Sequence, residues 1–363
     1  MTLEELRKKI DEIDIRIVEL IQERLRLAEE IGRAKRRKNR IIEDIAREYR
    51  LMENIRSLAR EKNISQRDIE AIFKQIVTAS KRVQGVVEVA FQGETGAYSE
   101  EAASRFFGPY LQTRPCESFA DVFGMVERGE AQFGVVPIEN SLEGSVNQVY
   151  DLLLDSTLKV CGEIELRVSH CLITLPDSDL ATIKRVYSHP QALAQCRSFL
   201  KQLHCEIITT SDTAGSVRLV KEEGAPEHAA IASAQAAEIY AMKVVAREIE
   251  DNPHNFTRFF ILSREDSPPS GDDKTSVVFS AKDRPGVLYA ALREFASRNI
   301  SLTKLESRPT RQKPWEYNFY LDFEGHRQDR LTGETLDNLE KHAIFLKVLG
   351  SYPRSREAGA GSV

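Results

Sequence analysis

The chain has 363 residues, of which 41% are hydrophobic and 29% charged, with a net charge of −5. At about 150 residues per domain this predicts two to three domains, and it excludes a wholly disordered chain or a small disulfide scaffold. No apolar run approaches the ~18 residues of a membrane span, and the N-terminus lacks a signal-peptide core. The five cysteines show neither C-x-x-C nor zinc spacing. The expectation is a cytoplasmic protein with reduced, mostly buried thiols, no metal, no cofactor, no membrane partner and no nucleic-acid partner.

Residues 1–84 contain one glycine, Gly32, and no proline, and they are basic where the remainder is acidic. A stretch without breakers predicts helices. Thr2 and Glu5 form a capping-box pattern. Leu6, Ile10, Ile13, Ile17, Leu20, Leu27 and Ile31 then form a helical stripe reaching about Lys38. Such a helix, about 50 Å long, cannot bury itself and predicts pairing with a second copy. A second helix fits 42–62, with Asn63 as its stop. Ser65 and Asp68 open a third, ending near Gln84.

Residues 85–262 alternate short apolar runs ("VVEVAF", "FGVVPI", "HCLITL", "RVYSH") with helical patterns. That order predicts an α/β domain with a largely parallel sheet, in two lobes around a cleft. Residues 263–274 read as a polar linker. The pattern βαββαβ over 275–352 is the ferredoxin-like α+β plan, and 353–363 read as a flexible tail.

Arg7, Arg24 and Lys35 lie along the first helix. Asp44, Arg47 and Glu48 share a face of the second, and Ser80 and Gln84 lie four apart on the third. In "LRKKIDEID", "ERLRLAEEIGRAK", "DIAREYRLME" and "SKRVQ" this stretch resembles the helical, AroQ-type chorismate mutases over all of 1–84. The resemblance implies a pericyclic rearrangement of chorismate to prephenate. That chemistry needs the substrate held folded and charge on the ether oxygen stabilised, with no nucleophile. It implies that Arg24, Arg47 and a partner chain's Arg7 hold the two carboxylates. Lys35 and Gln84 would face the ether oxygen, Glu48 with Asp44 the ring hydroxyl, and Ser80 the pocket wall.

In the second zone, "FQGETGAYSEEAA" is a glycine-rich turn before a helix and contains Ser99. "VVPIENSLEGSV" places Glu139, Asn140 and Ser141 after a strand. "YSHPQALAQC" supplies Ser188, His189 and Gln191, and "SDTAGSVRLV" supplies Asp212 and Thr213. "NFTRFFIL" supplies Thr257, Arg258 and Phe259. Together, from about 87 to 262, these segments resemble prephenate dehydratases, whose domain is two-lobed like a periplasmic binding protein. The implied reaction expels water and carbon dioxide from prephenate. Thr257 or Glu139 would protonate the leaving hydroxyl, and Arg258 would bind a carboxylate or polarise Thr257. Ser99, Asn140, Ser141, Ser188, His189, Gln191, Thr213 and Phe259 would orient the substrate.

The third zone carries Gly286-Val287-Leu288 and Glu306-Ser307-Arg308-Pro309. It resembles the ACT regulatory domain, which implies an L-phenylalanine site at these residues. The three zones in this order imply a bifunctional enzyme of phenylalanine biosynthesis, as a homodimer or dimer of dimers. The alternative is a non-catalytic amino-acid sensor on a helical dimerisation module.

Overall fold

A computed structural model describes residues 2–37, 45–108, 111–281, 284–310 and 316–355. Backbone alone is described at residues 35–37, 45–46 and 84. The chain divides into two compact units, 1–87 with 107–112, and 88–106 with 113–363.

The first unit holds α1 (Leu3–Arg37), α2 (Ile45–Glu61) and α3 (Gln66–Gln84). Its caps follow the expected chemistry. Thr2 N donates to Glu5 Oε2 at 2.9 Å, Glu5 N donates to Thr2 Oγ1 at 3.2 Å, and Ser65 accepts from Asp68 N. Asn63 ends the second helix region in a left-handed conformation, with φ 56°. α3 contacts both other helices. One long face of α1 stays uncovered: Leu6, Ile10, Ile13, Ile17 and Leu20 are all exposed.

The second unit begins with β1 (Val87–Gln92), α4 (Tyr98–Phe107), β2 (Leu111–Cys116), α5 (Phe119–Glu127), β3 (Phe133–Asn140), β4 (Gly144–Ser145), α6 (Asn147–Asp155) and β5 (Lys159–Arg167). The chain then crosses to a second lobe of β6 (Cys171–Thr174), β7 (Arg185–Ser188), α7 (Pro190–Gln195), α8 (Arg197–Leu203), β8 (Glu206–Thr209), α9 (Thr213–Glu223), β9 (His228–Ala232), α10 (Ala234–Ile239) and β10 (Lys243–Ala246). It returns through β11 (Phe256–Ser263) into the middle of the first sheet, whose order is β2-β1-β3-β11-β5 with β4 on β3. The second sheet runs β10-β6-β9-β7-β8.

Both sheets are mixed rather than largely parallel. β1 and β3 are parallel, as are β7 with β8 and with β9, but β11 runs antiparallel to β3 and β5. The physical reason is the double crossing: the returning strand enters the first sheet from the hinge end.

The C-terminal domain is β12 (Asp273–Ala281), α11 (Val287–Ala296), β13 (Leu302–Pro309), β14 (Tyr317–Glu324), α12 (Arg330–His342) and β15 (Ala343–Pro353), with the sheet ordered β13-β14-β12-β15. Its strands are antiparallel. β12 alternates between two cores. Val277 and Phe279 pack under α11 and α12. Val278 joins a cluster holding Val136, Phe260 and Leu262 of the first lobe with Tyr320 and Tyr352. The lobe and the domain thus share one core.

The segment 263–274 is no loose linker. Ser263, Ser267, Ser270, Asp273 and Lys274 are buried. Its short polar side chains satisfy their own turn: Ser270 N donates to Asp273 Oδ2 at 2.8 Å and Ser270 Oγ to Oδ1 at 2.6 Å. Likewise Pro353 is a buried end of β15, and of the expected tail 356–363 lies outside the described residues. The cysteines are free, four of them buried, and burial raises the thiol pKa of Cys116, Cys171, Cys196 and Cys205.

Where β15 meets β5, Gly350 touches the backbone of Val160, and a Cβ there would fall on the Val160 carbonyl oxygen. Gly350→Ala is therefore expected to destabilise the second unit by about 1–3 kcal/mol, the usual range for overpacking. A lower urea midpoint for that unit's transition is the readout.

Candidate functional site

In the helical unit, Arg24 is half-buried and turned to α3. Its Nη1 donates to the Ile76 carbonyl at 3.3 Å and to Ser80 Oγ. Ser80 is buried and donates to Ile76 O at 2.8 Å. Burial, with the neighbouring Arg47 cation, pulls Arg24 below its ordinary pKa, and Glu48 opposes this. Two cations held against each other favour an anion between them. Glu48 itself bonds Lys81 Nζ at 2.9 Å.

Arg7 is exposed on α1. It lies 17 residues before Arg24, about 26 Å along the helix axis, beyond the reach of an arginine in the same chain. Asp44 and the side chains of Lys35 and Gln84 lie outside the described residues.

In the second unit a cleft of about 430 Å³ opens between the lobes. Ser99, Asn140, His189, Gln191, Thr213, Thr257 and Phe259 all line it. The turn before α4 contributes Gly93, Ala97 and Tyr98. Its Gly96, at φ +94°, lets the backbone approach Ala236 of the second lobe. Glu94 in the same turn receives Arg218 from α9 at 2.8 and 2.6 Å, and Tyr240 and Ser233 donate to the carbonyls of Thr95 and Gly96. These bonds hold the lobes together at one rim.

Asn140 is fixed by its own loop. Its Oδ1 accepts from Leu142 N and Glu143 N, both at 3.0 Å. The amide nitrogen must then point the other way. It donates to Thr257 Oγ1 at 3.0 Å, to Asn255 Oδ1 at 2.7 Å and to Phe256 O at 3.2 Å. Thr257 Oγ1 therefore accepts, and its own hydrogen is left to turn into the cleft.

The network continues from Asn255 Nδ2 to Gln195 Oε1 at 2.9 Å. The same oxygen lies 2.9 Å from His170 Nε2, and His170 Nδ1 lies 3.0 Å from the Tyr98 hydroxyl. Tyr98, His170, Gln195 and Asn255 escaped the sequence reading. They come from four distant segments, and only the hinge brings them together. The two lines "VSHC" and "NPHNF" flanking the lobe crossings were the available signal.

Glu139, Arg258, Ser141 and Ser188 stand elsewhere. In a pleated strand neighbours face opposite ways. Thr257 and Asn140 turn to the cleft, so Arg258 and Glu139 turn to the C-terminal domain. Arg258 Nε bonds Glu163 Oε2 at 2.8 Å, and its Nη2 bonds Asp322 Oδ2 at 2.6 Å. Glu139 bonds Lys304 at 2.8 Å. Ser141 closes the end of β3 against β11, donating to His254 O at 2.9 Å and accepting from Phe256 N at 2.9 Å. Ser188 is fully buried and donates to Ile231 O at 2.6 Å. His189 and Asp212 also act as N-caps, of α7 and α9. Among the described residues, the cleft lining contains no lysine or arginine, and its one carboxylate is Asp212.

In the C-terminal domain, Gly286 adopts φ +82° before α11, with open space around it. Val287 and Leu288 are half-buried, and Ser307 and Pro309 are exposed. Glu306 and Arg308 instead face the first lobe. Glu306 accepts from Ser145 Oγ, and Arg308 bonds Asn147 O at 3.0 Å and Asp151 Oδ1 at 3.2 Å.

Comparison with known proteins agrees with this three-part arrangement. Residues 6–85 match the chorismate mutase type II family, 89–267 the prephenate dehydratase family and 275–341 the ACT domain. A bifunctional chorismate mutase/prephenate dehydratase of Aquifex aeolicus (strain VF5) is 39% identical over 358 residues, covering 97% of this chain and 98% of its own. A solved prephenate dehydratase of Arthrobacter aurescens, in complex with L-Phe, is 33% identical with a TM-score of 0.67, over 74% of this chain and 90% of that one. Another solved structure, described as a novel type of quorum quenching acylases, is 36% identical with a TM-score of 0.69, over 74% and 98%. The helical unit, the cleft and the βαββαβ domain thus define a mutase–dehydratase with an attached ACT domain. The chain belongs to the family of bifunctional chorismate mutase/prephenate dehydratases.

Burial holds the His170 pKa below its usual 6.5, against the pull of Gln195 and Glu250. The folded value lies below the unfolded one, so the unfolded chain takes up more protons in between. Stability is then lost as pH falls below about 6.5. Denaturant midpoints followed from about pH 7.5 to pH 5 are expected to decline, and His170→Gln to flatten that decline.

Proposed function

We propose that the chain converts chorismate to prephenate in residues 1–84 and prephenate to phenylpyruvate in residues 87–262. Residues 275–352 bind L-phenylalanine, which slows the second step. The observation that carries the dehydratase reading is the Asn140–Thr257 pair in the cleft. The solved relative with bound L-Phe supports the effector.

In the rearrangement, Arg24 and Arg47 take carboxylate oxygens and relieve their mutual repulsion by doing so. The exposed stripe on α1 supports a homodimer. Leu6, Ile10, Ile13, Ile17 and Leu20 alternate spacings of four and three, the seam of two paired helices. Pairing in opposite directions carries the partner's Arg7 to the site that its own Arg24 cannot share. Lys35 and Gln84 complete the pocket at the ether oxygen, with Glu48 and Asp44 at the ring hydroxyl.

In the dehydration, the bond from the ring to its carboxylate breaks and releases carbon dioxide. The electron pair enters the ring, and the ring hydroxyl leaves as water with a proton from Thr257. An alcohol is a weak acid. The Asn140 N–H aimed at Oγ1 stabilises the charge left there as the proton departs, and water in the cleft then restores the proton. Glu139, paired with Lys304 away from the cleft, is the poorer donor. With no lysine or arginine among the described residues of the cleft, the substrate carboxylates rest on hydroxyls, amides, His189 and the N–H groups at the start of α4. In the regulatory domain Gly286, Val287, Leu288 and the outward-facing Ser307 and Pro309 offer the effector contacts. Glu306 and Arg308 secure the domain to the lobe. The expected compartment is the cytoplasm.

The test starts from chorismate alone. Its loss and the appearance of phenylpyruvate, the latter slowed by L-phenylalanine, are expected; no loss of chorismate overturns the reading. Arg24→Ala should reduce mutase turnover by about 10²–10³ and spare the dehydratase. Thr257→Ala should do the reverse, and undiminished phenylpyruvate formation in that variant would remove Thr257 from its role.

A further inference from the structure

Two rungs of the first sheet lie side by side and face opposite ways. Thr257 pairs with Asn140 across β11 and β3, and the next rung pairs Arg258 with Glu139. The first rung lines the cleft. The second is gripped by the C-terminal domain along two arms.

The first arm runs through Arg258, whose guanidinium is nearly enclosed. Besides Glu163 and Asp322 it meets the Tyr352 hydroxyl at 3.2 Å. Lys274 Nζ bonds the other Glu163 oxygen at 2.7 Å, and Ser276 donates to the other Asp322 oxygen at 2.6 Å. The Glu163 side chain is 0% exposed and that of Asp322 8%. Two buried carboxylates balanced by two cations are costly to separate, so this arm does not slip.

The second arm runs through Glu139. Lys304 of β13 holds it at 2.8 Å and lies 3.3 Å from Glu306, which in turn accepts from Ser145 Oγ. Ser145 is the register partner of Glu139 on β4, and the next residue, Val146, lines the cleft.

We infer that Asp322 and Lys304 of the C-terminal domain are positioning residues of the cleft. They hold the Thr257–Asn140 rung from behind through Arg258 and Glu139, and an amino acid bound to that domain acts on the cleft through these two ties. This rests on the dehydratase reading above. A small shift of β13 or β14 must either carry the rung with it or break a buried ion pair. The 3.0 Å contact from Asn140 to Thr257 depends on the register of this rung, so a carried shift changes proton donation.

The experiment uses the full chain with Asp322→Asn, Lys304→Met and Lys304→Arg. Dehydratase kcat and KM are measured across L-phenylalanine concentrations, L-phenylalanine binding is measured by calorimetry, and mutase turnover serves as a control. In Asp322→Asn and Lys304→Met, kcat is expected to fall about tenfold with KM within about twofold. Half-inhibition is expected to need at least about fivefold more L-phenylalanine, although its binding changes less than about twofold. Lys304→Arg keeps the cation and is expected to keep the parent's inhibition, which a merely structural loss at this position would not predict. Parental kcat and half-inhibition in both Asp322→Asn and Lys304→Met would overturn the inference alone. A parent chain that forms no phenylpyruvate from prephenate would overturn the dehydratase reading and the inference with it.

Discussion

The second unit depends on the placement of β11 between β3 and β5. This strand is the return of the chain from the far lobe, and it is buried on both faces. One face supplies Thr257 and Phe259 to the cleft. The other supplies Arg258, Phe260 and Leu262 to the junction with the C-terminal sheet. The pleat leaves no choice once one residue is fixed. The cleft and the C-terminal domain are therefore not neighbours joined by a tether. They are the two sides of one strand, separated by the thickness of a backbone.

The helical unit is organised by a different shortage. Its three helices cannot cover α1, and the stripe left over is as regular as a coiled-coil seam. Burial and the nearby Arg47 cation hold the Arg24 pKa below its ordinary value. The proposed second copy would cover the stripe, and the proposed anionic substrate would sit beside Arg24. The helical unit also pairs charges internally, as in Arg56 with Glu70 and Lys81 with Glu48.

Much of this was legible in the sequence, for reasons that can be named. The helices of residues 1–84 stood out because no breaker interrupts them and two capping patterns mark their starts. The βαββαβ order of the C-terminal domain followed from its alternating elements. The direction of β11 was not legible, because no local pattern in a strand tells from which end the returning chain enters the sheet. Thr257 and Arg258 read as one motif, although the pleat sends them to opposite sides. The hinge network of Tyr98, His170, Gln195 and Asn255 was invisible because its members are scattered along the chain. Segment 263–274 read as loose because serine, aspartate and glycine serve equally in a mobile linker and in a turn that bonds to itself.

The walls of the cleft carry hydroxyls, amides, imidazoles and the Asp212 carboxylate but, among the described residues, no lysine or arginine, while residues 1–84 are basic and the remainder acidic. A dianion would therefore meet the two units by different physics. Long-range attraction draws a substrate to the helical unit and is weakened as the Debye length shrinks. The acidic remainder of the chain instead presents a net repulsive field to a dianion, and salt weakens that repulsion. Capture in the cleft is a short-range exchange of water for fixed dipoles, so added salt, which slows the first encounter, is expected to ease the second.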